Sequence, residues 1–190
     1  MILNFRTAHL AELSAEADAI TGSVEQTFAG LSASQLNWKP APQEWGVGQC
    51  FDHLTIVTAS YIPLIQSILD GTKRGTFWEK IPGLPGLCAN LLLGVVDPVN
   101  PTRAPAPPSW RPTEQVVDTG VVAVFLQTHQ AFTQLLRASA KLDLAMIISS
   151  PSAVFMTYTL LDAYRINISH ERLHMAQAQR VMQQTGFPGA

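Results

Sequence analysis

The sequence predicts an all-α protein, a four-helix bundle with a long proline-rich insert between its second and third helices. Four stretches repeat apolar residues at spacings of three and four, and no pair of stretches alternates convincingly as paired strands. Eight of the thirteen prolines crowd into residues 71–112, which sets that segment apart from the helices on either side. With 190 residues, the chain is expected to form one domain over 1–190 and to bury a sizeable core.

The first helix is expected within residues 4–30. Leu10, Leu13, Ala17, Ile20, Val24 and Phe28 form one stripe there, and Glu12, Glu16, Asp18 and Glu25 lie on the other face. A proline- and glycine-rich connection with Trp38 and Trp45 follows. The second helix, 47–69, runs through Val47, Phe51, Leu54, Tyr61, Ile65 and Ile68, with Pro63 expected to kink or unwind it. In the insert, Pro105-Ala106-Pro107-Pro108 cannot continue a helix, while residues 87–96 can form a short one. The insert is expected to pack irregularly across the bundle or a partner subunit. The third helix is expected within 113–141, on Val117, Val121, Phe125, Phe132 and Leu136. The fourth, 157–185, carries Leu160, Leu161, Tyr164, Ile168, Leu173 and Val181 and stops before Gly186 and Pro188.

Composition narrows the function classes. Charged residues are 14% of the chain against 47% hydrophobic, and the net charge is −2, so neither a nucleic-acid nor an anionic-membrane footprint is present. The low charged fraction points to a homodimer that covers apolar surface. Two cysteines, Cys50 and Cys88, are too few for a disulfide framework. The first residues lack the basic region, unbroken apolar run and small-residue cleavage site of a secretory signal, so none is expected, and the apolar runs at 84–96 and 121–126 fall short of the ~18 residues a membrane span needs. A cytoplasmic, soluble protein is expected.

The chemistry-bearing residues are five histidines. His170 and His174 stand four apart, so a helix projects both imidazoles from one face, where they can share a metal ion. The spacing alone is a weak signal, and two polar residues on a solvated face would look the same. His170-Glu171-Arg172-Leu173-His174 also spells the zinc-protease pattern H-E-x-x-H, but Gln177 and Arg180 occupy the positions where the extended pattern needs Gly and His. No Asp, Glu or His follows His174, so a third ligand must come from upstream. His53 is the best candidate and His129 its competitor, while His9 reads as a boundary residue of the first helix. Spacing does not choose among them.

The stretch Trp45-Gly46-Val47-Gly48-Gln49-Cys50-Phe51-Asp52-His53-Leu54 resembles the W-S-x-x-x-x-x-x-H-L signature of the DinB/YfiT-like family. His170-Glu171-Arg172-Leu173-His174-Met175-Ala176-Gln177 is similar to that family's second signature, H-E-x-H-H-R-G-Q, and Trp38-Lys39-Pro40 and Gly186-Phe187-Pro188 fit its habits. The resemblance implies a four-helix bundle with one metal ion on His53, His170 and His174, and imidazole ligands suit a divalent transition metal, with zinc or nickel expected first. Gly46 departs from the family's Ser or Thr, which weakens the helix cap. Leu173, Met175 and Ala176 depart from its His, Arg and Gly.

Three neutral nitrogen ligands with an open fourth position suit catalysis rather than a closed structural site. The resemblance implies an enzyme that transfers a low-molecular-weight thiol to a small-molecule substrate. The alternatives are a hydrolase using metal-activated water, and a non-catalytic stress-response or binding protein. Glu171 and Asn167 are candidate catalytic neighbours. Gln49 and Cys50 lie one turn before His53, and Trp38, Trp45 and Trp78 are candidate pocket walls.

Overall fold

Long helices form where the four apolar stripes place them. A computed structural model describes residues 3–102 and 104–189; residues 1, 2, 103 and 190 of the expected single domain lie outside that description. Helix α1 (Leu10–Thr27) buries Leu13, Ala17, Ile20 and Val24 and is shorter than its stripe. It starts after His9, whose extended backbone leaves its N–H to the Glu12 carboxylate at 2.8 Å. A short helix α2 (Ala33–Asn37) follows, with the Ser32 hydroxyl accepting the Gln35 N–H. Five residues are too few to show a period, so the sequence could not announce it.

Helix α3 (Val47–Leu69) has the expected bounds and passes Pro63 without unwinding. Gly46 sits at its start for a steric reason. A Cβ there would lie 2.5 Å from the Trp38 carbonyl oxygen, so the serine or threonine of the signature does not fit against this turn. Helix α4 (Leu84–Val95) begins earlier than expected because Pro85 sits in its first turn, where a missing N–H costs nothing.

Helix α5 (Val121–Ala138) occupies only the later part of its predicted segment. Residues 113–117 are instead irregular, bending at Glu114 and Gln115, with the Asn37 side chain pairing both backbone groups of Val117 at 2.7 and 3.0 Å. Two short strands then pair antiparallel, β1 (Ile147–Ser149) and β2 (Thr157–Thr159), with Ile148 opposite Tyr158. No strand pair was expected. Three residues are too short for alternation to stand out, and β2 takes the first residues of the predicted fourth helix. Helix α6 (Leu160–Met182) starts only after Thr159, whose hydroxyl accepts the Asp162 N–H at 3.0 Å.

The four long helices close a ring of contacts, with α3 packed on α5 and α6, and α1 packed on the same two. Phe28, Phe51 and Phe125 pack in its core at steep ring angles of 67° and 57°, with centroids 4.9 and 5.3 Å apart. Helix α4, within the insert, lies against β2 and α6. No helix among the described residues is long and apolar enough to cross a membrane.

Candidate metal centre

Helix α3 carries His53 on its second turn, and α6 carries His170 and His174 one turn apart on the face that meets α3. Their Nε2 atoms converge: His53 to His170 is 3.2 Å, and His174 to His170 is 3.0 Å. These three residues form a group that could hold a metal ion, with all donor atoms within 4.8 Å of one another.

The outer ring nitrogens decide what the inner ones can do. His53 Nδ1–H donates to the Trp110 carbonyl at 2.5 Å, and His174 Nδ1–H donates to Gln177 Oε1 at 2.8 Å. A neutral imidazole carries one proton, so both Nε2 atoms present lone pairs. His170 faces both of them with its single Nε2 and can donate to only one. At least one inward-facing Nε2 lone pair is therefore left without a proton donor, an arrangement a cation resolves. The donor set fits a divalent transition metal.

Electrostatics agree with that donor set. Burial, then the neighbouring His174 and His53, holds His170 well below the usual histidine range. Burial and then His53 push His174 down to about 3. Burial lowers His53 too, against the opposing pull of the Trp110 carbonyl and Asp52. All three imidazoles are thus held neutral, the form a metal needs. His53 is 3% exposed, while His170 keeps partial exposure.

A family model described as the DinB superfamily matches residues 16–178. The chain belongs to the DinB superfamily. No curated protein and no solved structure matches it. In this DinB-superfamily chain the matched span contains all three histidines, the whole of α3, α6 up to residue 178, and the insert between α3 and α5.

The remaining candidate residues have distinct places. Trp45 lies over the centre, its ring 5.5 Å from His174 at 27° and 4.9 Å from His53. Trp38 packs on Phe187, and Trp78 packs on Phe77 and Phe155, partly in solvent. Cys50 is in the core, its thiol pushed up to about 12 by burial, so it stays protonated. Asn167 is buried and its Nδ2 donates to the Ala163 carbonyl at 2.9 Å.

Glu171 is fully buried rather than solvated. Its carboxylate lies 2.9 Å from His129 Nδ1 and accepts from the Thr58 hydroxyl at 3.3 Å. His129 Nε2–H donates in turn to the Ala17 carbonyl at 3.0 Å. One polar chain therefore links α1, α5, α6 and α3, and His129 belongs to it and not to the histidine cluster.

Sequence reasoning missed Trp110 and Gln177 as partners of the ligands. Gln177 could have been found from its i+3 spacing to His174. Trp110 acts through a backbone carbonyl, which leaves no sequence signal.

Proposed function

We propose that this chain is a metal-dependent enzyme in which His53, His170 and His174 hold one divalent transition metal, zinc or nickel, and which transfers a low-molecular-weight thiol to a small electrophile. The observation that carries this reading is the convergence of three Nε2 atoms while the Nδ1 atoms of His53 and His174 are already engaged. A divalent ion on three neutral ligands keeps its full charge and supplies Lewis-acid stabilisation of an anion such as a thiolate.

The chain's own residues prepare that chemistry. The Trp110 carbonyl and Gln177 hold His53 and His174 in the tautomer that points Nε2 inward. The Trp45 ring shields His53 and His174 from water on its side. Glu171 is committed to His129 and Thr58, so its carboxylate does not stand among the ligands as a base. That favours a thiol over water, because a thiol with a pKa of about 8.5 sheds its proton far more readily than water at about 15.7.

From the four periodic segments, the chain length and the low charged fraction we also infer a four-helix bundle that forms one domain and assembles as a homodimer. It acts on a small molecule in the cytoplasm, with no nucleic-acid or membrane partner. The decisive experiment measures the metal content of the purified protein and the consumption of small electrophiles with and without a panel of low-molecular-weight thiols. Thiol-dependent turnover that disappears in His170→Ala is expected. Turnover in water alone would instead identify a hydrolase, and no turnover in either condition a binding protein.

A further inference from the structure

Two polar side chains on α3 grip the end of the insert just beside the metal centre. Gln49 Nε2 donates to the Thr113 carbonyl at 2.8 Å, and Asp52 Oδ2 accepts the Thr113 N–H at 2.7 Å. Both backbone groups of one insert residue are thus held by side chains three positions apart on one helix. His53, the next residue on that helix, donates Nδ1–H to Trp110, three residues before Thr113.

The chain between these two grips has little slack. Pro112 fixes its own φ and restricts Arg111. Trp110 closes a tight turn, its N–H donating to the Pro107 carbonyl at 2.9 Å. Gln49 is itself locked, since its Oε1 accepts the Gly46 N–H at 3.3 Å while its amide nitrogen holds Thr113. The place of Thr113 therefore decides where the Trp110 carbonyl points.

We propose that Gln49 and Asp52 are positioning residues for the metal ligand His53, acting through the backbone of Thr113 and Trp110. This rests on the metal reading above and deepens it. The pair holds the carbonyl that keeps the His53 proton on Nδ1, and so keeps the Nε2 lone pair turned towards His170. Without the grip, the carbonyl swings free and the imidazole samples both tautomers.

The test uses Asp52→Ala, Gln49→Ala and Asp52→Asn in the full chain, each checked for helical circular dichroism. In the metal-free protein, nitrogen-15 NMR should show His53 moving from one Nδ1–H tautomer to a mixture in both alanine variants. Zn2+ affinity by chelator competition should fall about tenfold in each. Asp52→Asn keeps an accepting oxygen and should restore both readouts. If Asp52→Ala does not fold, Gln49→Ala carries the same comparison.

Alanine variants that keep the single tautomer would overturn the proposal, as would Asp52→Asn behaving like Asp52→Ala, which would make charge rather than the hydrogen bond responsible. His53→Ala separates this inference from the one beneath it. If that variant binds Zn2+ as wild type does, the metal reading fails. If it loses Zn2+ while Gln49→Ala and Asp52→Ala bind normally, only the positioning role fails.

Discussion

His53 and His129 lie on facing helices, have similar burial and have their pKa values displaced in opposite directions. His53 makes one hydrogen bond to a carbonyl and turns its other nitrogen towards two more imidazoles. His129 instead faces an acceptor with each nitrogen, the Glu171 carboxylate and the Ala17 carbonyl, a setting that favours the imidazolium. Alanine at His53, His170 or His174 should weaken metal binding by at least tenfold in chelator competition, whereas His9→Ala should leave it unchanged. Burial holds all three imidazoles below the usual histidine range, so protons should weaken binding to the wild type only well below the ordinary imidazole value of about 6.5.

For His129 the direction is reversed. Burial lowers its pKa, but the charge and hydrogen bond of Glu171 outweigh burial and leave it raised. The folded chain then holds a proton that the unfolded chain releases above about pH 6.5. This stabilisation is complete below about 6.5 and fades as pH rises through the folded value. NMR titration of His129 should give a midpoint above 6.5; a midpoint below it would mean that the ion pair is absent.

The start of α3 shows how a local departure from a signature arises from packing. Serine at position 46 would cap the helix better than glycine, a gain of a few tenths of a kcal/mol in isolation. Its Cβ, however, would press on the Trp38 carbonyl, and Gly48 is nearly as tight against Leu36. Gly46→Ser should therefore destabilise the protein by about 1–3 kcal/mol, read as a lower thermal midpoint. An unchanged or higher midpoint would mean the turn at Trp38 can give way.

Long periodic helices such as α3 were legible in the sequence because their stripes span several turns. Helix α2 and the strands were not, because each offers at most five residues of pattern. At the site, His170 and His174 were legible as a pair from their spacing, whereas His53 needed the resemblance to distinguish it from His129. What separates those two is which groups face them across the core, and tertiary contacts of that kind leave no periodic trace.

The histidine cluster occupies one face of a core that is otherwise aromatic and aliphatic. Phe28, Phe51, Phe125 and Phe132 are fully or almost fully buried, so the fold does not depend on an ion for its driving force. Stripping metal with a chelator should leave the helical circular dichroism unchanged; its collapse would show that the metal is structural. The exterior is less complete. Phe77 is 73% exposed and Phe155 52% exposed on a chain with few charges. Light scattering at micromolar concentration should return twice the chain mass of 20.7 kDa, and a monomeric mass would remove the homodimer.

His53 and His170 meet across 117 positions of sequence, the whole of the insert, α5 and the hairpin lying between them. Closing a loop of that length is entropically costly and comes late in folding. A partly folded chain therefore offers the ion only the His170–His174 half of the cluster. On the proposed metal reading the ion would bind the finished molecule in preference to its precursors, and free metal at about a hundred times its dissociation constant would add about 2.7 kcal/mol to the native state. Supply of the ion would then set the lifetime of the protein, and a chain starved of metal would fold at its usual rate yet open and be degraded sooner.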